Sequence, residues 1–194
     1  MFYRIAIALA RFVYFFIYRI KASGVENVIE SGGVIYAANH KSCADPIVIA
    51  ITSKRQLTFM GKKELFKFKP LGFLLRSLGA FPVNRGKGDV GAVKTGLKIL
   101  KEEKVMMIFP EGKRVAKGEI APAKPGVAMF AIHAKVPVIP ITIVGEYKLW
   151  HTVKVIYGKP IYFDEYYGQK LTSEQLTELS RKVLDTIYEK GGRD

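Results

Sequence analysis

The sequence predicts an α/β fold, a mixed and largely parallel sheet flanked by helices. Three observations predict it. Short runs that are apolar throughout, such as VIYAA at 34–38 and VMMIF at 105–109, read as strands buried on both faces. Between them lie stretches whose apolar residues recur at helical spacing. The two kinds of segment alternate along the chain, which is the pattern of a sheet built from strand–helix–strand units.

The elements follow in order. Residues 2–20, FYRIAIALARFVYFFIYRI, are the most apolar stretch and read as a helix. Spread over 19 residues it would be about 28 Å long, close to the ~30 Å hydrocarbon core of a bilayer. Arg4, Arg11 and Arg19 interrupt it, however, and at ~100° per residue they share a sector of about 80° with Tyr14 and Tyr18 beside them. Arg11 would sit at the centre of a spanning helix, at a cost of roughly 2.5–3.5 kcal/mol. An Arg/Tyr stripe opposite an Ile/Ala/Leu/Phe face fits a helix lying in the membrane interface instead. A signal peptide fits less well, because the segment ends in YRIKASG and Arg11 already breaks the apolar stretch. A helix packed on the core with solvated arginines is the plainer alternative.

Residues 34–38 form the next strand, and Asp45-Pro46 opens a helix to about Thr52, with Asp45 as its N-cap. Residues 57–60 read as a strand, 62–79 as a helix broken at Pro70, and 80–83 as a strand. A helix capped by Asp89 covers 89–101, followed by the strand at 105–109. A helix at 125–134 and a strand at 138–144 come next; Pro137 and Pro140 mark that strand as an edge or place a proline at its entry. Residues 153–157 and 161–163 suggest a final strand pair, and Thr172 or Ser173 caps an amphipathic helix ending at Gly191.

Composition narrows the function. With 194 residues, 49% of them hydrophobic, the chain buries a sizeable core and is not a disordered tail. No repeat or low-complexity linker appears, so one domain, residues 21–194, follows the segment 1–20. A single Cys excludes a disulfide framework and any zinc site needing cysteine pairs. The net charge of +14 implies an anionic partner: nucleic acid, anionic lipid or a phosphorylated substrate. Residues 1–110 hold 18 basic and 7 acidic side chains against 13 and 10 in 111–194, so the anion-facing surface belongs mostly to the first half.

Four blocks sit at strand ends, where α/β sheets gather their chemistry. In Asn39-His40-Lys41-Ser42-Cys43-Ala44-Asp45, a loop turning into a helix can bring His40 against Asp45, fixing the imidazole tautomer and leaving its other nitrogen as a base. On one continuous helix the pair would stand about 140° apart, and the spacing alone fits a polar loop with a helix cap equally well. Gly79-Ala80-Phe81-Pro82-Val83-Asn84-Arg85 ends in an arginine whose fork of donors suits phosphate. Phe109-Pro110-Glu111-Gly112-Lys113-Arg114 is a tight turn presenting a carboxylate beside two cations. Val136-Pro137-Val138-Ile139-Pro140-Ile141 is the fourth.

Together and in this order, NHKSCAD, GAFPVNR, FPEGKR and VPVIPI resemble the glycerolipid acyltransferase family, most closely the lysophosphatidic acid acyltransferases. The resemblance covers about residues 20–165, with Lys113 where the family usually has Thr and Val115 where Ser commonly stands. It implies a glycerolipid acyltransferase fold and transfer of a fatty acyl group from acyl-CoA or acyl-carrier protein to the sn-2 hydroxyl of lysophosphatidic acid, giving phosphatidic acid. Glycerol 3-phosphate and other lysolipids stand as alternative acceptors. His40, oriented by Asp45, is then the base, and the thioester is attacked directly with no acyl-enzyme. Cys43 could be named as a nucleophile, but the family pattern varies at that position. Arg85, Lys113 and Arg114 are expected to hold the acceptor phosphate, with Glu111 orienting them or binding glycerol hydroxyls. Gly112, Asn39 and Ser42 complete the implied substrate site. Backbone N–H groups at the helix start after Asp45 are expected to meet the developing oxyanion. No metal and no cofactor are implied; His133 and His151 lack the near spacing of metal ligands. The implied place of work is the cytoplasmic face of the cell membrane, held peripherally or monotopically on the phospholipid surface.

Three rival readings remain. Gly86-Lys87-Gly88-Asp89-Val90-Gly91 spells the dinucleotide fingerprint G-x-G-x-x-G, and Glu111 follows its last glycine by 20 residues, the place of a ribose-binding acid in an NAD-binding protein. The +14 suits a basic nucleic-acid-binding protein, but no nucleic-acid motif accompanies the scattered cations, so nucleic acid is not an expected partner. A membrane-interaction protein without activity leaves the four blocks unexplained.

Overall fold

The computed structural model describes residues 2–84, 89–116 and 118–191. Its elements in chain order are α1 (Phe2–Ile17), β1 (Arg19–Ser23), β2 (Val34–Ala38), α2 (Asp45–Thr52), β3 (Leu57–Lys62), α3 (Lys69–Ser77), β4 (Ala80–Val83), α4 (Val90–Lys101), β5 (Val105–Ile108), α5 (Gly126–Ala134), β6 (Val138–Val144), β7 (Thr152–Tyr157) and α6 (Ser173–Glu189). The seven strands form one sheet in the order β1-β7-β6-β2-β5-β3-β4. Every neighbouring pair is parallel except β6 and β7.

The buried strands show why their residues alternate so little in polarity. Along β2, Ile35 and Ala37 point into the core covered by α4, α5 and α6, while Val34, Tyr36 and Ala38 point into the core beneath α1 and α2. All five are fully buried, so both faces of the strand must be apolar. Gly96 lets α4 approach α5: a Cβ there would stand 2.5 Å from the Phe130 ring. Two helix caps behave as the sequence predicts. The Asp89 carboxylate accepts from Ala92 N, and Thr172 forms a capping box with Gln175.

Several boundaries differ from expectation. Pro70 does not break a helix; it sits in the first turn of α3, where its missing N–H costs nothing. Residues 161–163 do not pair with β7, for Ile161 bridges Val138 and β7 lies between β6 and β1. β1 is a strand that the sequence hides: RIKAS is polar and exposed, and its register is set by β7, with Arg19 opposite Thr152. The first helix therefore stops at Ile17, and Arg19 belongs to the sheet. Pro140 lies inside β6, an interior strand. Its carbonyl accepts from Gly158 N, and its missing N–H costs only the reciprocal bond to Gly158, at the end where the β7 ladder begins with Ile141.

α1 packs one side on the body and leaves a broad apolar side open. Tyr3, Ile7 and Tyr14 face the body, with Ile7 and Tyr14 packed on the core beneath. Arg11 donates to Ile51 O at 2.7 Å, and the Tyr3 hydroxyl accepts from Leu57 N at 3.1 Å. Phe2, Ile5, Leu9, Phe12, Val13 and Phe16 are all exposed and share a sector of about 100° on the outer side. The helix thus packs on the core through Tyr3, Ile7 and Tyr14 while Arg4 and Arg11 stay exposed, as the plainer alternative has it, and a broad apolar face is open besides. Trp150, in the left-handed region at φ 63°, clasps the end of this helix. Its backbone N donates to Ile17 O at 2.7 Å and its indole to Phe16 O at 3.0 Å, while its ring stays exposed. No helix among the described residues is long and apolar enough to cross a membrane.

Candidate active site

The loop after β2 is folded around one carboxylate. Asp45 is fully buried and its Oδ2 lies 2.8 Å from His40 Nδ1. The same oxygen accepts from Lys41 N and Ser42 N, each at 2.7 Å. Oδ1 accepts from the Tyr147 hydroxyl at 2.7 Å. The loop turns so that its own N–H groups converge on the acid, which closes the distance that helical spacing would have left open. Asp45 is therefore not the N-cap of α2. Ala44 holds that place, and the Asp45 side chain turns back into the loop.

Asn39 anchors the loop from below. Its amide donates to Ile143 O at 3.0 Å and accepts from Ile143 N at 2.7 Å, stitching the end of β2 to β6. Asn39 is buried and braces the scaffold beneath the loop, where the expectation has it at the substrate. Ser42 likewise serves the loop, its hydroxyl accepting from Ala44 N at 3.2 Å. With Nδ1 committed to Asp45, the His40 ring stacks on Phe109 at 3.9 Å with 14° between planes. That stacking aims the ring edge carrying Nε2 away from the acid.

The turn after β5 splits in two directions. Gly112, at φ 69°, supplies the left-handed residue that the tight turn needs. Glu111 points inward: it is 2% exposed, its Oε2 accepts from His40 N and its Oε1 from the Tyr188 hydroxyl of α6, both at 2.9 Å. Burial pushes its pKa up to about 7, against the opposing pull of those two hydrogen bonds and with the nearby Asp45 adding to the rise. The expectation has Glu111 orienting the cations or binding glycerol hydroxyls, whereas its two oxygens are taken by His40 N and Tyr188 Oη. It clamps the His40 backbone. The dinucleotide reading loses its acid for the same reason, and Gly86 and Gly88 lie outside the described residues. Lys113 and Arg114 do point outward and are exposed, with Arg114 donating to Cys43 Sγ at 3.2 Å. Arg85 lies outside the described residues.

A pocket of about 140 Å³ opens beside the imidazole, lined by His40, Phe59, Met60, Val83, Phe109 and Gly112 among others. It admits roughly five water-sized groups and is mostly apolar, which suits the first carbons of a chain beside a reacting carbonyl. The expected oxyanion donors at the start of α2 are already engaged: Asp45 N bonds to Ser42 O, Ile47 N and Val48 N to Ala44 O, and Pro46 has no N–H. Among the described residues no three His, Cys, Asp or Glu side chains gather to hold a metal ion. Tyr147 and Tyr188 were not identifiable from the motifs. Each comes from a distant segment, and only the position of Tyr147, just past β6 at the same sheet end, hinted at it.

Known proteins similar to this chain are acyltransferases. The family model described as Acyltransferase matches residues 19–144. The 1-acyl-sn-glycerol-3-phosphate acyltransferase of Bacillus subtilis (strain 168) is 32% identical over 176 residues, covering 88% of this chain and 87% of that protein. The enzyme of the same name from Streptococcus pneumoniae (strain ATCC BAA-255 / R6) is 30% identical; the match spans 77% of this chain and 57% of the longer relative. The crystal structure of the 1-acyl-sn-glycerophosphate acyltransferase PlsC from Thermotoga maritima shares the fold, with a TM-score of 0.77 at 21% identity, over 99% of this chain and 80% of that one.

Proposed function

The chain belongs to the acyltransferase family, and from that premise we propose that it transfers a fatty acyl group from a thioester to the sn-2 hydroxyl of 1-acyl-sn-glycerol 3-phosphate, giving phosphatidic acid for phospholipid biosynthesis. The observation that carries this is the His40–Asp45 pair at 2.8 Å beside an apolar pocket, with two exposed cations following Gly112 in the turn that lines it. Asp45 holds the Nδ1–H, so Nε2 is the basic nitrogen. Nε2 takes the proton of the acceptor hydroxyl as its oxygen attacks the thioester carbonyl. The tetrahedral intermediate collapses, the C–S bond breaks, and the imidazolium returns its proton to the leaving thiolate. Phe109 and the apolar pocket receive the acyl carbons next to that carbonyl. Lys113, Arg114 and Arg85 grip the acceptor phosphate, where guanidinium forks and an ammonium suit a dianion.

The acyl carrier is either coenzyme A or acyl-carrier protein, both phosphate-bearing and both suited to a chain of net charge +14. α1 lies on the membrane with its open apolar face in the lipid and the body above it, on the cytoplasmic leaflet where anionic headgroups meet the basic surface. Trp150, exposed at the end of α1, extends that face with a ring suited to the interface.

Purified protein assayed with lysophosphatidic acid, crossed with acyl-CoA and acyl-carrier protein, yields phosphatidic acid with at least one donor. No product with either donor, but product with glycerol 3-phosphate, reassigns the acceptor. For docking, Leu9→Glu with Phe16→Glu lowers partition onto anionic vesicles by tenfold or more. Unchanged partition takes α1 off the membrane.

A further inference from the structure

Building on the proposed reaction, we propose that Tyr147 is a positioning residue of the His40–Asp45 pair: its hydroxyl fixes the free oxygen of Asp45, and its ring is seated by Tyr18 at the end of α1. The two carboxylate oxygens are held from different places. Oδ2 takes three donors, all from residues 40–42 of its own loop. Oδ1 takes its bond from a residue 102 positions later, past the end of β6. A carboxylate held at one oxygen alone can still pivot about its Cβ–Cγ bond. Held at both, by two strand ends, it cannot turn without breaking a buried hydrogen bond. The plane of Asp45 then sets the direction of the His40 Nδ1–H, and with it the aim of Nε2.

Tyr147 is built to donate and not to titrate. Burial and the Asp45 charge raise its pKa well above the ordinary tyrosine value, so the O–H persists throughout the working pH range. The titratable groups facing Asp45 are His40, Tyr147, Tyr14 and Glu111. The ring of Tyr147 meets Tyr18 edge-on, with centroids 5.6 Å apart and planes at 79°, and Tyr18 meets Tyr14, one helical turn earlier, at 5.4 Å. The seat of the first helix is thus continuous through three tyrosines with the catalytic acid.

Tyr147→Phe tests this, because it deletes the hydrogen bond and keeps the ring. Expected are a kcat lowered about tenfold, a KM for lysophosphatidic acid within twofold, and an acid limb of the kcat/KM profile moved to higher pH. The limb moves because a carboxylate that loses a donor binds protons more readily and leaves the imidazole more basic. The downfield imidazole N–H proton resonance of His40 shifts or broadens in the same variant, a readout that needs no turnover. Tyr18→Leu, which removes the ring contact and leaves the hydroxyl, gives a smaller loss with the limb moved in the same direction. An unmoved limb and an unaltered His40 resonance overturn the proposal, even where kcat falls with stability. If Tyr147→Phe does not fold, Tyr18→Leu decides by the same two readouts. If wild-type protein transfers no acyl group, the proposed reaction fails, and the His40 resonance still judges Tyr147.

Discussion

Two neighbouring strands of one sheet, β2 and β5, end in segments that each bury a carboxylate, and the two segments solve that problem differently. The loop after β2 surrounds Asp45 with four donors: His40 Nδ1, Lys41 N, Ser42 N and Tyr147 Oη. The turn after β5 gives Glu111 two, His40 N and Tyr188 Oη, and its pKa is pushed up to about 7. The difference lies in how many hydrogen bonds repay the loss of water. The well-served acid is the one that can steer an imidazole. The poorly served acid acts as a clamp between β5, α6 and the His40 backbone, while the tip of its turn offers cations to solvent. Reacting, bracing and gripping are thus divided between two strand ends a few ångströms apart.

The division can be broken at several points. If the loop after β2 carries the chemistry, His40→Ala lowers acyl transfer at least ~10³-fold with little change in Tm, as steady-state rates and a thermal melt will show. Near-normal rates would move the reaction elsewhere. If the outer tip of the turn after β5 grips the acceptor, Arg114→Ala raises the KM for lysophosphatidic acid about tenfold and spares the KM of the acyl donor. An effect on the donor alone would reverse the assignment. The smallest effect concerns the clamp. Glu111 is raised above its ordinary value, so its contribution to stability is complete below about pH 4.5 and is lost as pH rises through about 7. Glu111→Gln keeps an acceptor for His40 N and a partner for Tyr188. The stability difference between wild type and this variant therefore falls across that window, by no more than about 1.4 kcal/mol per pH unit. A difference that does not vary with pH would mean Glu111 is not the titrating group.

The sheet was legible wherever a strand is buried on both faces. β2 and β6 occupy the ranges that their apolar runs predict, because such runs have nowhere else to go. β1 was not legible, since a polar edge strand owes its form to β7, more than a hundred residues away. The order of the strand-end blocks brought His40, Asp45 and the turn at Glu111 together. It left open which way Glu111 points, because an acid in a tight turn can face either side and only the hydroxyl of Tyr188 decides. Tyr147 stayed hidden for the same reason: its partner is distant in sequence. The Arg/Tyr stripe of α1 was legible as a stripe, but a periodic pattern names two faces without saying which one the body covers.

The open apolar face of α1 changes what concentration means for this enzyme. The helix that presents its apolar side outward also ends one tyrosine contact from the residue bonded to Asp45. On the proposed docking of α1, an acceptor lipid meets the reacting centre by diffusing within a plane. The rate then follows the fraction of the surface occupied by lysophosphatidic acid, not its amount per litre. Diluting the acceptor with inert lipid slows turnover at constant bulk concentration, and adding more surface of fixed composition does not restore it.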